Sequence, residues 1–282
     1  MALSRRALAS TISAAALLGV SRAQAALDPA KQADVITMYR KLRYRMDDGL
    51  VFWWMVDTKI GQVETKLTPL FDMQVGSIMR IKTNPDGSFA VTSLEDVFYT
   101  DSATGEFLRQ WKNPYTGETV PVAHAPVGPT TIVYRADGTP IMPKELGGSK
   151  LEGRSVVGPA IAVGDDVWVR GDSFATVTSP DPARPPFEVN DLSIYQGSLK
   201  EVSDPKVMVA AATVQSNQVT GWRAWMKMGD RPGNFMSRGV GRKVARYADM
   251  PPKWRALVAE IDPAIAADPL AALDQPPAKF DR

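Results

Sequence analysis

His124 is the side chain whose ordinary pKa best suits proton transfer near neutral pH, and it is the only histidine among the 282 residues. It ends the stretch 111–124, WKNPYTGETVPVAH. A catalytic histidine needs a carboxylate that orients its ring, and Asp96, Asp172 and Glu188 are candidates because they lie near predicted strand ends. The alternative is a structural histidine that hydrogen-bonds to the backbone at the end of a strand.

A second stretch, residues 222–233, combines tryptophan, methionine and charged side chains. Polarizable methionine beside tryptophan makes an adaptable apolar wall, and Arg231 suits recognition of a carboxylate or an oxyanion. An ion pair between Asp230 and Arg231 that fixes the following turn is the alternative for that arginine. The predicted catalytic pair is His124 with Arg231. The predicted ligand-binding residues of this stretch are Trp222, Trp225, Met226 and Met228.

Three more aromatic residues are predicted to bind the ligand. Trp53 and Trp54 are adjacent on a predicted strand, so one faces the interior while the other lies under a helix or at an interface. Tyr115 lies in the turn 113–117, NPYTG, whose proline and glycine predict the tip of a β-hairpin.

The composition excludes several kinds of site. There is no cysteine, which excludes disulfides, thiolate nucleophiles, iron–sulfur clusters and cysteine-bound zinc, and one histidine cannot form a multi-histidine metal site. We predict no cofactor, since P-loop, dinucleotide-binding and covalent haem motifs are missing. We also predict no metal site, since no EF-hand-type spacing occurs; a hard metal held by carboxylates is the alternative. Non-covalent haem on His124 is the open alternative. The net charge is +2, and without the three arginines of residues 1–25 it is near −1, which gives no basic footprint for nucleic acid.

Residues 1–25 predict a twin-arginine-type signal peptide. The pair Arg5-Arg6 precedes a weakly apolar, alanine-rich run, and Ala23-Gln24-Ala25 fits a cleavage site. The run is too short for a stable membrane span. We therefore expect export by the twin-arginine machinery to the periplasm; an ordinary secretory signal is the alternative.

The rest of the chain divides into three predicted segments. Residues 26–48 predict a helix from their apolar spacing, and residues 251–282 predict a helix followed by an Ala- and Pro-rich tail. Residues 49–250 predict a mainly antiparallel all-β domain, because short alternating runs are separated by turn residues. A barrel, which removes exposed edges and encloses a ligand, or a two-sheet sandwich fits this pattern. The predicted strands include 223–228, with a non-strand crossing at 137–154.

Three stretches together resemble the DUF1838 family of bacterial exported proteins, whose function is unknown. They are the pair Trp53-Trp54, the hairpin 111–124 and the run 222–243, WRAWMKMGDRPGNFMSRGVGRK. Their order and spacing match over most of the mature chain. The resemblance implies an exported protein with a β-rich domain, and it implies no particular reaction.

We expect a periplasmic protein that recognises a small apolar or aromatic molecule in the mouth of the barrel. If it transforms that molecule, cofactor-independent acid–base chemistry is expected, with His124 moving the proton and Arg231 or a tyrosine holding an oxyanion. One alternative is a non-catalytic carrier or scavenger that uses the same cavity. Another is a structural protein whose aromatic stretches are buried in a homodimer. The sequence itself does not specify a reaction.

Overall fold

The computed structural model describes residues 26–124, 126–182 and 184–276, so the predicted leader, 1–25, lies outside the described residues. Its helices are α1 (Gln32–Arg43), α2 (Leu199–Ser203), α3 (Pro252–Ile261) and α4 (Pro263–Ala267). Its strands are β1 (Gly49–Val63), β2 (Lys66–Thr83), β3 (Phe89–Thr100), β4 (Gln110–Lys112), β5 (Thr119–Pro121), β6 (Val127–Tyr134), β7 (Pro140–Ile141), β8 (Glu145–Leu146), β9 (Ser149–Val163), β10 (Asp166–Thr178), β11 (Phe187–Ser198), β12 (Thr213–Thr220) and β13 (Asn234–Val244).

Eleven strands form one antiparallel sheet in the order β7-β6-β3-β2-β1-β13-β12-β11-β10-β9-β8. The sheet curls into a half-barrel, and the short hairpin of β4 and β5 forms a separate two-stranded sheet. The prediction of a mainly antiparallel all-β fold with flanking helices is confirmed. Between the two predicted architectures, the single curled sheet is of the barrel kind, and its edge strands β7 and β8 leave it open.

The helix α1 packs against the inner face of the sheet at one end of the half-barrel. Its buried face includes Tyr39 and Leu42, and the strands leave room for both, since a Cβ on Gly171 or Gly197 would overlap their side chains. Lys243 on β13 donates hydrogen bonds to the carbonyl oxygens of residues 41, 44 and 210, at 2.7, 3.0 and 3.1 Å. These bonds hold the C-terminal end of α1, where the last carbonyl oxygens have no hydrogen-bond donor within the helix.

The helices α3 and α4 cover the outer face of β1 to β3. Phe52, Ile78 and Phe98 point outward from their strands and pack with the fully buried Trp254 of α3. Gly76 on β2 makes this close packing possible, because a Cβ there would overlap the Trp254 ring. The sheet therefore carries two separate buried faces, an inner one that contacts α1 and an outer one under the C-terminal helices.

Two predictions about strands are wrong. Residues 223–228 are not a strand: Ala224–Met226 form one 3-10 turn, and Lys227 follows with a left-handed φ of 55°. β13, which the sequence pattern did not indicate, lies between β1 and β12. Its inward positions include Gly239, where a Cβ would overlap the Asp57 carboxylate. Because only glycine fits there, the strand lacks an inward side chain that would have shown its alternating pattern. β9 also begins inside the stretch 137–154, which had been predicted as a crossing.

Candidate functional site

The inner face of the half-barrel carries charged side chains between apolar ones. On β1, Asp57 and Lys59 point inward because they are in phase with the buried Trp53. The pairing register places Glu95 of β3 and Asp191 of β11 on the same face. We call this group the acidic chamber; it comprises Arg43, Asp57, Lys59, Glu95 and Asp191.

The three carboxyls of the acidic chamber are close enough to affect one another. Burial raises the pKa of Asp57, Glu95 and Asp191, and the charges of Asp191 and Asp57 raise the pKa of Glu95 further. Ser77 Oγ donates to Glu95 Oε1 at 2.9 Å, and Ser193 Oγ donates to Asp191 Oδ1 at 2.7 Å. Glu95 and Asp191 keep partial exposure, whereas Asp57 is only 4% exposed. The first two residues are therefore less completely buried than Asp57.

Two cations partly balance this negative charge. Lys59 Nζ lies 3.6 Å from Asp57 Oδ2, forming an ion pair in which both side chains are buried. Arg43, the last residue of α1, donates to the Tyr39 hydroxyl, and its guanidinium carbon lies 5.4 Å from the Tyr195 ring centroid. Its charge lowers the pKa of Glu95 and Asp191 without cancelling the effect of burial.

Three buried polar atoms around the acidic chamber have no hydrogen-bond partner in the described part of the chain: Arg43 Nε, Asp57 Oδ1 and Ser237 Oγ. The Ser237 hydroxyl lies near enough to Asp57 to lower its pKa slightly, yet its geometry does not make a hydrogen bond. A buried polar group without a partner costs about 1–3 kcal/mol. The chamber thus holds both donor and acceptor atoms whose hydrogen-bonding capacity is unused within the described residues.

His124 lies outside the acidic chamber, and backbone groups use both of its ring nitrogens. The Tyr99 N–H donates to Nδ1 at 3.3 Å, so Nε2 carries the proton and donates to the Leu108 carbonyl at 2.9 Å. The ring lies 4.2 Å from that of Phe107, and burial lowers the pKa of His124. No carboxylate in the described ranges hydrogen-bonds to it, and its contacts favour the structural alternative.

The structure brings the exposed Arg231 together with the half-buried Tyr115 and Trp222. Arg231 Nη2 donates to the Tyr115 carbonyl at 3.2 Å, and Trp222 Nε1 donates to the Arg231 carbonyl at 3.1 Å. The predicted ion pair of Asp230 with Arg231 is wrong, since no such pair forms among the residues that the structure describes, and both side chains are exposed. Backbone carbonyl contacts hold this turn instead.

The other predicted binding residues separate onto different faces. Trp53 lies inside, where its Nε1 donates to the Arg43 carbonyl at 3.0 Å and its ring centroid is 5.7 Å from that of Tyr195. Trp54 lies outside, under α3. The remaining three pack with the β4–β5 hairpin, which closes the other end of the half-barrel: Trp225, Met226 and Met228. Trp53 is therefore the predicted residue that borders the acidic chamber.

Sequence reasoning missed the charged residues of the chamber. Asp57 and Lys59 carried a usable signal, because they continue the inward alternation of Trp53 on a long strand. Glu95 and Asp191 carried none, since they meet only when the sheet curls. Within the described ranges no three side chains of the metal-binding types are placed to hold one ion. In the same ranges no helix has both the length and the apolar character needed to cross a bilayer.

The fold and the site together define a half-barrel protein with a charged, aromatic-walled interior. The chain belongs to the DUF1838 family, described as proteins of unknown function, and the match covers residues 49–278. The predicted resemblance is thereby confirmed, and the match includes every strand of the sheet. No curated protein matches the chain.

Proposed function

We propose that the protein binds a small molecule in the acidic chamber and transfers protons on it with the carboxyls of the chamber. The observation that carries this proposal is the grouping of Asp57, Glu95 and Asp191, each with a raised pKa, on the inner face of the sheet. Neighbouring carboxyls that repel one another lose their protons in separate steps. One of them can then act as an acid while another acts as a base.

The walls of the chamber indicate the kind of ligand. Trp53 and Tyr195 form an aromatic surface, which suits the small apolar or aromatic molecule that the sequence predicts. The unpartnered Arg43 Nε and Asp57 Oδ1 add a donor and an acceptor. The proposed ligand therefore combines an apolar or aromatic part with hydroxyl, amino or carbonyl groups.

The proposed roles follow from exposure and charge. Glu95 and Asp191, which are partly exposed, move the proton; Arg43 stabilises negative charge that develops on a substrate oxygen. This assignment replaces His124, whose two nitrogens already have partners. The reaction class is a lyase, isomerase or hydrolase step. The proposal includes export to the periplasm by the twin-arginine machinery, which the Arg5-Arg6 pair supports.

A carrier that holds the same ligand unchanged is the second candidate. The aromatic cluster at the far end of the half-barrel favours it, since Phe71 contacts Tyr99, Trp111 and Trp225 at centroid distances of 5.1, 5.4 and 5.8 Å. Aromatic walls of this kind bind apolar ligands, but their rings offer no group that would transfer a proton to a ligand. The homodimer alternative has less support, because Met226 and Trp53 are buried within the chain.

Incubation with a bacterial small-molecule extract, followed by mass spectrometry, tests the proposal. The wild-type protein is expected to deplete one compound, and Glu95→Gln and Asp191→Asn to do so about 100-fold or more slowly, as for loss of a general acid or base. Glu188→Gln is the matched control, because Glu188 is exposed on the same sheet. A compound that is retained unchanged supports the carrier. Equal depletion by wild type and Glu95→Gln would contradict the assigned chemistry.

A further inference from the structure

Arg223 is a buried arginine that neither the sequence patterns nor the acidic chamber account for. Its side chain is 8% exposed, and its guanidinium carbon lies 5.2 Å from the Phe187 ring centroid and 5.5 Å from that of Phe235. Its Nε and Nη1 atoms are buried and have no hydrogen-bond partner in the described part of the chain.

Arg223 has no counter-charge among the described residues. Burial is the largest influence on its pKa and lowers it, and the nearby Tyr99 is the group that raises it; no carboxylate contributes. An arginine stays protonated even when buried. Lys59 differs, since its ammonium lies 5.5 Å from the same Phe235 ring but forms an ion pair with Asp57. The Tyr99 hydroxyl and the two aromatic rings interact with the guanidinium but carry no opposite charge. A buried charge without an ionic partner lowers the stability of the folded protein, so an anion that binds beside Arg223 is expected to stabilise it.

Arg223 faces the same interior as the acidic chamber. Tyr99 and Glu95 are in phase on β3, and Phe187 and Asp191 are in phase on β11, so each pair points to the inner face. Each pair is separated by four residues, which is roughly 13 Å along a strand. Within the described residues, the inner face therefore has a carboxyl-rich part and, further along the same strands, an arginine without a carboxylate partner.

We propose that Arg223 binds the carboxylate of the molecule that occupies the acidic chamber. This inference rests on the proposed function and narrows its ligand to a small carboxylic acid with an apolar or aromatic body. The carboxylate faces Arg223, because guanidinium donors match its oxygens. The reacting hydroxyl, amino or carbonyl group then faces Glu95 and Asp191.

Thermal unfolding with matched probes tests the inference. The probes are 3-phenylpropionate and 4-hydroxycinnamate at millimolar concentration, each compared with its neutral amide. The carboxylates are expected to raise the Tm of the wild-type protein more than the amides do. Arg223→Met is expected to weaken the carboxylate affinity about 10- to 100-fold, the loss typical of a charged hydrogen bond. Arg231→Met is the matched control, an exposed arginine of the same loop, and it is expected to bind like wild type.

The unfolding of the variants without any probe separates a binding role from a structural one. Arg223→Met is expected to unfold at the same or a higher temperature than wild type, because it replaces a buried charge that has no ionic partner with an apolar side chain of similar size. A large fall in the Tm of Arg223→Met overturns the inference and assigns the arginine a structural role. If Arg223→Met fails to fold, a large fall in the Tm of Arg223→Lys leads to the same conclusion.

The probe results also separate the inference from the proposed function. In one outcome, acid and amide raise the Tm of wild type equally, Glu95→Gln abolishes this rise and Arg223→Met does not. That outcome would keep the acidic chamber as the binding site and overturn the role of Arg223. Carboxylate binding that needs Arg223 but is unaffected by Glu95→Gln and Asp191→Asn would overturn the shared ligand. No rise in the Tm of wild type with either carboxylate also overturns the inference.

Discussion

Glu95 and Asp96 are neighbours on β3 that face opposite sides of the sheet. Glu95 faces the acidic chamber, where Ser77 donates to it at 2.9 Å and other charged groups approach it. Asp96 faces the outer layer under the C-terminal helices, is 3% exposed and has no hydrogen bond to the described residues. Burial, followed by the charge of Asp262, raises the pKa of Asp96 to about 7. A raised pKa is therefore not enough to mark a candidate functional carboxyl; the two residues differ in their polar and charged neighbours.

Unpartnered polar atoms occur on both faces, and their chemistry differs. In the outer layer they are the polar tips of large aromatic rings, namely Trp54 Nε1, Trp254 Nε1 and the Tyr247 hydroxyl. The apolar bodies of these rings account for their burial. In the acidic chamber they belong to Arg43, Asp57 and Ser237, which contribute little apolar surface. Packing explains the first set, and the second set is the one on which the proposed recognition of a polar ligand rests.

Removal of the Trp254 side chain is the strongest test of the outer layer. Trp254→Ala is expected to lower the free energy of unfolding by about 3–5 kcal/mol, because it leaves a cavity over Gly76 in a fully buried cluster. Urea denaturation measures the change. Leu270→Ala, at a side chain that is 43% exposed in the same C-terminal region, is the control and is expected to change little. A loss below about 1 kcal/mol for Trp254→Ala would show that α3 does not depend on this packing.

The pH dependence of stability isolates Asp96. Its pKa is about 7 in the folded protein against an ordinary 3.8, so the folded state holds the proton more tightly than the unfolded state. The Asp96 contribution is therefore full below pH 4 and is lost as pH rises to about 7, by up to about 4 kcal/mol. Asp96→Asn is expected to abolish this fall and to be the more stable protein at pH 8. Parallel stability curves for the two proteins would contradict the burial of an unpaired carboxyl.

His124 gives a smaller effect, since it lies between the two regions, with Phe98 on one side and Tyr99 on the other. His124→Gln is expected to lower the free energy of unfolding by about 1–2 kcal/mol through its lost backbone bonds, and to leave ligand turnover unchanged. Because the pKa of His124 is lowered in the folded state, its contribution is lost as pH falls below about 6.5. Turnover that disappears at unchanged stability would restore the catalytic hypothesis for this residue.

Much of the fold could be predicted because its signals are local. The turn 84–87 and the alternating strands beside it form the hairpin of β2 and β3 as expected. β13 could not be predicted, because a glycine interrupts its alternating pattern. The reason for that glycine, Gly239, is the Asp57 carboxylate on the neighbouring strand β1, which leaves no room for a Cβ. The pattern of residues 222–228, WRAWMKM, predicts a strand because its apolar residues are close together, but Ala224–Met226 form a 3-10 turn.

The candidate site was harder to predict, because its residues lie on strands that are far apart in the sequence. Asp57 is visible locally as an inward polar residue after Trp53, but Glu95 and Asp191 come together only through the curvature of the sheet. His124 is the only histidine in the sequence, and nothing in the residue types around it predicts its contact with the Leu108 carbonyl, which favours a structural role.

A carboxyl NMR titration of Glu95, in wild type and in Asp191→Asn, tests the central claim most directly. The account predicts a pKa for Glu95 above its ordinary 4.5 in the wild-type protein. It also predicts a lower pKa for Glu95 in Asp191→Asn, because the repulsion from the Asp191 carboxylate is removed. An ordinary pKa for Glu95 that Asp191→Asn does not change would show independent, solvated carboxyls and would contradict an acidic chamber that shares protons.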